Sequence, residues 1–75
     1  MRIIAYTYEA DVHCPACTRL YAFRRGQYGA HLGKADQHGI VERATDREGN
    51  TIRPVFDIDE HDFTHCGDCG KRLEA

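Results

Sequence analysis

His13-Cys14-Pro15-Ala16-Cys17 and His65-Cys66-Gly67-Asp68-Cys69 decide how this chain is read. Each stretch carries a C-x2-C pair with a histidine in front of it. Two cysteines separated by two residues in a tight turn can aim both sulfurs at one point. A tetrahedral metal ion needs four such sulfurs, each about 2.3 Å from the ion. Two pairs therefore complete one site, and the spacing reads as one Zn²⁺ per chain held by Cys14, Cys17, Cys66 and Cys69. A closed four-thiolate site leaves no open coordination position for a substrate, so it points to architecture rather than catalysis.

The rest of the composition fits that reading. Seventy-five residues with 41% hydrophobic content, no Trp and three Phe make a thin core. Domains of this size commonly need a staple. Structural zinc can contribute roughly 10 kcal/mol of folding energy. Disulfides are the competing use of four cysteines. The N-terminal stretch shows no charged segment leading into a long apolar run, which favours a reducing, cytoplasmic setting and metal over disulfide. No apolar run approaches the ~20 residues of a membrane span. Net charge is −2, which argues against generic nucleic-acid binding through the whole chain. The charge is segregated: residues 18–35 carry Arg19, Arg24, Arg25 and Lys34 before the first acid at Asp36, whereas residues 54–68 carry five acids and no Lys or Arg.

The β-branched and aromatic residues 2–8 predict a strand that ends near Glu9 and runs into the first cysteine turn, with Ile4, Tyr6 and Tyr8 on one face. Residues 18–25 predict a short helix capped by Thr18, with a strand as the alternative. Gly26, Gly29, Gly33 and Gly39 mark a glycine-rich loop over 26–39. A hairpin follows, with strands over 39–45 and 51–56 and a turn at 46–50. Pro54 cannot donate to a ladder and marks an edge. Asp57–Phe63 predicts a short acidic turn or helix. The expected whole is one β-rich, α+β domain over 1–75, a zinc-stabilised antiparallel sheet with one or two short helices.

Cys66-Gly67-Asp68-Cys69-Gly70-Lys71 resembles the C-G-x-C-G-x knuckle of zinc ribbons, whose glycines let backbone N–H groups turn toward the sulfurs. Cys14-Pro15-Ala16-Cys17 resembles the other knuckle, with Thr18 where glycine is common. In size and motif content the chain also resembles small uncharacterised two-knuckle proteins of phage, archaeal and bacterial genomes. That resemblance implies a zinc-ribbon-like fold and supplies no activity.

Other chemistry is thinner. Iron in the same four thiolates would resemble a rubredoxin-type electron carrier, and spacing alone does not separate the metals. His13 and His65 adjoin ligands without being needed as ligands. His61-Asp62 lacks the glutamate of the H-E-x-x-H order. A redox-active C-x-x-C wants a βαβ setting for which this chain is short. Arg19, Tyr21, Phe23, Arg24, Arg25 and Tyr28 interleave cations and rings, as single-stranded nucleic-acid surfaces do. No catalytic set is visible. The expectation is a non-enzymatic protein-interaction module, accessory or regulatory and, in the phage-like case, host-directed. Arg19, Arg24, Arg25, Tyr28 and Lys34 are the candidate partner-binding residues. A nucleic-acid-binding ribbon using 19–34 is the alternative.

Overall fold

Strand β1, Ile3–Tyr8, forms where β-branched and aromatic side chains were expected to pack on a pleated surface. The chain then reverses at Glu9-Ala10 into β2, Asp11–His13, paired antiparallel with β1 through Tyr8↔Asp11 and Tyr6↔His13. Helix α1 spans Pro15–Arg24, and β3, Arg53–Phe56, lies against the other side of β1. The sheet order is β2-β1-β3. The computed structural model describes residues 2–29, 31, 33–58 and 64–73. Of the acidic turn expected at 57–63, Asp57 and Ile58 do form a turn, and residues 59–63 lie outside the described set.

Three expectations are corrected. The first concerns β2. The two turn residues, Glu9 and Ala10, sit at φ +49° and +60°, the left-handed pair that a two-residue hairpin requires. Asn-Gly commonly supplies this geometry, and Glu-Ala does not advertise it. The turn is held from outside: Glu9 N–H donates to Asp46 Oδ2 at 3.1 Å, and the Arg47 guanidinium grips Glu9 Oε1 with Nη2 at 2.6 Å.

The second concerns which residues share a face. The β1–β3 register shifts between Ile3 and Ala5, and a bulge changes the phase of a strand by one residue. Ile3 therefore joins Tyr6 and Tyr8 in a cluster with Ala22, Ile40, Ala44 and Ile52. Ile4 joins Ala5, Val12, Val55 and Leu73 around Cys14 and Cys66.

The third concerns the hairpin over 39–45 and 51–56. Arg53–Phe56 pairs with β1 instead, leaving Pro54 on the edge strand as expected. Only a minimal hairpin remains, the Thr45↔Thr51 bridge with Ile52 N–H donating to Ala44 O at 2.8 Å. Arg43, at φ +66°, interrupts the upstream strand, and burial of Ile40, Ala44 and Ile52 against Tyr6 and Ala22 holds the alternative path.

The 46–50 turn forms as predicted, and the 26–39 loop contains its near-copy. Asp46 Oδ1 accepts from Glu48 and Asn50 N–H, and Asp36 Oδ1 accepts from His38 and Ile40 N–H. Each second carboxylate oxygen reaches the sheet, Asp36 to the Tyr6 hydroxyl and Asp46 to Glu9 N–H. Gly39 and Gly49 occupy matching positive-φ positions, +83° and +85°. Two D-x-x-G turns thus brace β1 from one side.

Candidate metal centre

Cys14 is the N-cap of α1, not a residue ahead of a cap at Thr18. Its extended backbone (φ −72°, ψ 160°) leads into Pro15 at the first helical position, where a missing N–H costs nothing. Cys14 Sγ accepts from Cys17 N–H at 3.5 Å, and Cys14 O accepts from Thr18 N–H and Thr18 Oγ1, both at 3.0 Å. The helix thereby starts on the ligands themselves. It ends in a Schellman motif, with Gly26 at φ +70° and Gln27 N–H donating to Ala22 O at 2.8 Å.

The second pair sits in a small independent turn. Cys66 N–H donates to Lys71 O at 2.8 Å, Gly70 N–H to Cys66 O at 3.0 Å, and Leu73 N–H to Thr64 O at 2.8 Å. Asp68 N–H points at Cys66 Sγ, 3.4 Å away. Gly67 N–H donates to Val12 O at 2.8 Å, which ties the turn to β2. Glycine lets the Asp11 carboxylate approach closely: a Cβ on Gly67 would lie 2.1 Å from Asp11 Oδ2, so that side chain would have to shift.

The sulfurs of Cys14, Cys17, Cys66 and Cys69 all lie within 4.8 Å of one another, and Cys14 Sγ and Cys69 Sγ are 3.7 Å apart. A tetrahedron with metal–sulfur bonds near 2.3 Å has an edge of about 3.8 Å. All four cysteines are free thiols. The four residues could hold one metal ion, and their geometry matches a tetrathiolate cage. Electrostatics support metal capture at Cys66. Burial pushes its thiol up, but N–H groups of Cys69, Cys14 and Asp68 aimed at the sulfur outweigh that and hold it at about 6. Burial, followed by the neighbouring thiols, pushes Cys17 up, and burial raises Cys14 despite the Cys17 N–H. The fold stabilises the Cys66 thiolate, whereas Cys14 and Cys17 need a cation to ionise.

His13 is buried, 5% exposed, and bridges the two halves. Its Nδ1 lies 2.7 Å from Asp68 Oδ2 and its Nε2 3.1 Å from Tyr8 O, while its ring stacks on Tyr8 at 3.8 Å. Both ring nitrogens thus face acceptors, a carboxylate and a carbonyl, and the ring ties the second cysteine turn to β1. Sequence reasoning placed His13 beside a ligand and missed this role, because Asp68 lies 55 positions away. His65 is exposed and contacts Thr64 Oγ1.

The candidate partner-binding residues do not form one surface. Arg25 is exposed and engaged with the neighbouring backbone: Nε donates to Thr45 O at 3.1 Å and Nη2 to Asp46 O at 2.9 Å. Lys34 lines a cavity beside Pro54 and Phe56, whereas Arg24 lines one beside His13 and Asp68. Arg19 and Arg24 are exposed on α1. With them lie two large apolar residues of the helix, Leu20 at 51% and Phe23 at 69% exposed. Tyr28 meets Phe23 edge to face, centroids 6.4 Å apart. Only Thr18 and Ala22 of α1 are buried. Among the described residues no helix is long and apolar enough to cross a membrane. No protein-family model, curated protein or solved structure matches this chain.

Proposed function

We propose that this chain is a non-enzymatic interaction module whose fold is closed by one structural Zn²⁺ in Cys14, Cys17, Cys66 and Cys69. Its C-terminal knuckle is ribbon-like, and its N-terminal ligands open a helix. The observation that carries the interaction reading is the outward face of α1. Leu20 and Phe23, two of the few large apolar residues in the chain, stand in solvent between Arg19 and Arg24, with Tyr28 against Phe23. Large apolar side chains exposed together mark interaction surfaces, and aromatic and arginine residues are the usual anchors.

Metal analysis of protein purified without added metal tests the first part: one zinc and no colour is expected, and iron with visible absorption would move the function to electron transfer. Photocrosslinking from a benzoylphenylalanine at position 23, with position 51 as control, tests the second. A discrete crosslinked protein from position 23 alone is expected; crosslinks shared by both positions would overturn it. The exposed rings beside Arg19 and Arg24 favour nucleic acid as the second reading. It requires salt-sensitive binding of a single-stranded oligonucleotide that is lost in Arg19→Ala/Arg24→Ala. Arg25 is excluded from that variant because its side chain holds the 45–46 backbone.

A further inference from the structure

The two ends of the described chain meet beside Cys14 and Pro15, where the helix begins. There a cavity of about 230 Å³ is lined by Arg2, Lys71, Arg72 and His38 around an apolar floor that includes Ile4 and Leu73. Among the described residues no carboxylate lines it. Two acids adjoin its lining through backbone bonds: Asp57 Oδ1 accepts from the Arg2 N–H at 3.0 Å, and Asp36 Oδ1 from the His38 N–H at 2.8 Å. His38 is fixed by its Nε2, which donates to Ile3 O at 3.0 Å. Arg2 and the neighbouring pair Lys71-Arg72 come from two sequence-distant segments and repel one another, and bringing them to one cavity costs free energy that a bound anion offsets. With a divalent ion, the four thiolates behind Cys14 carry a net charge of about −2, which three cations outnumber.

We propose that this cavity is an oxyanion site for a phosphate monoester group. Its size falls below the ~300 Å³ at which whole small-molecule sites begin, so it takes a headgroup and not an entire ligand. A monoester is close to a dianion at neutral pH, which suits several cations, and guanidinium groups bind its oxygens in pairs. The Ile4 and Leu73 floor accepts the apolar start of the ester group.

The test is an amide chemical-shift titration of the metal-loaded protein at pH 7.5 and constant ionic strength. The probes are phenyl phosphate, inorganic phosphate and dimethyl phosphate. Saturable shifts at Ile4, Lys71, Arg72 and Leu73 are expected, tightest for phenyl phosphate and weakest for the singly charged diester. Lys71→Gln/Arg72→Gln should weaken phenyl phosphate at least about tenfold. Arg2→Gln, remote in sequence from the knuckle, should weaken it too. Unchanged metal content in both variants shows that the cage is intact. No saturable shift, equal affinity for the diester, or variants that lose metal affinity without changing anion binding would overturn the proposal. The last outcome would leave these cations as charge balance for the thiolates.

Discussion

Cys14-Pro15-Ala16-Cys17 and Cys66-Gly67-Asp68-Cys69 share a spacing and differ in what holds them. The first pair is built into the fold: Cys14 is buried, follows β2 directly and caps a ten-residue helix. The second pair sits in a turn whose own hydrogen bonds close only residues 64–73. Its described ties to the sheet are Gly67 to Val12, Asp68 to His13 and the burial of Cys66 and Leu73. Equal spacing specifies equal ligands and says nothing about which half exists without the metal. The comparison predicts that the first half stands without the metal and the second is clipped onto it.

Removing the metal should break the symmetry most. Structural zinc is worth roughly 10 kcal/mol or more, and a cluster of Ile3, Tyr6, Tyr8, Ala22, Ile40, Ala44 and Ile52 contains none of the ligands. After chelation, amides of residues 64–73 are expected to lose hydrogen-exchange protection while those of Tyr6 and Thr7 retain it. Simultaneous loss in both sets would mean that the halves form one cooperative unit.

Gly67→Ala should come next, because its Cβ would meet the Asp11 carboxylate. Overpacking of this kind costs about 1–3 kcal/mol. Denaturant unfolding of the metal-loaded protein checks it. The cost should largely vanish in an Asp11→Ala background; a penalty that persists there would place the glycine's role in its backbone and not in close approach.

The cysteines themselves sharpen the difference. Cys14→Ala and Cys69→Ala each remove one ligand, but only Cys14 caps α1. Losing an N-cap costs about 1 kcal/mol, so Cys14→Ala should be the less stable by at least that much and should alone lose helical circular dichroism. Ala10→Gly acts in the opposite direction and on the first half only. Relieving a left-handed alanine is worth about 1 kcal/mol, and the melting temperature of metal-free protein should rise. No rise would show that the Asp46 and Arg47 clamp already removes the strain.

The clustering of the four cysteines, β1, the 46–50 turn and the edge position of Pro54 were legible because each depends on local chemistry: C-x2-C spacing, β-branched content, a glycine that takes positive φ, a missing donor. The β2 hairpin was hidden because Glu9-Ala10 adopts a turn that its residues do not favour and that Asp46, 37 positions away, enforces. Helix α1 began earlier than read because a cysteine, not Thr18, serves as cap; Pro15 was the available signal. The D-x-x-G spacing at Asp36 was present in the sequence and matches that at Asp46, so the order within the glycine-rich loop was open to reading. Exposure of Leu20 and Phe23 was not, since helical spacing assigns a stripe without saying which stripe meets the sheet.

Acid should separate the halves with the smallest and most local effect. Hydrogen bonding from Arg47 lowers Glu9, and backbone N–H groups of Glu9, Asn50 and Glu48 hold Asp46 below the usual carboxylate range although burial opposes them. A carboxylate depressed in the folded state contributes stability above its unfolded pKa, about 3.9 for Asp. That stability is lost as pH falls through the lower folded value. The Glu9 amide should therefore hold its chemical shift from pH 7 to about 4 and move only below. Protons compete with a divalent ion for thiolates at higher pH, so amides of Cys66 and Asp68 should move first. Two separate midpoints in one titration would place the prebuilt half and the clipped half on different chemistry, carboxylate turns for one and metal thiolates for the other. A single shared midpoint would show that the His13–Asp68 bridge couples them into one transition.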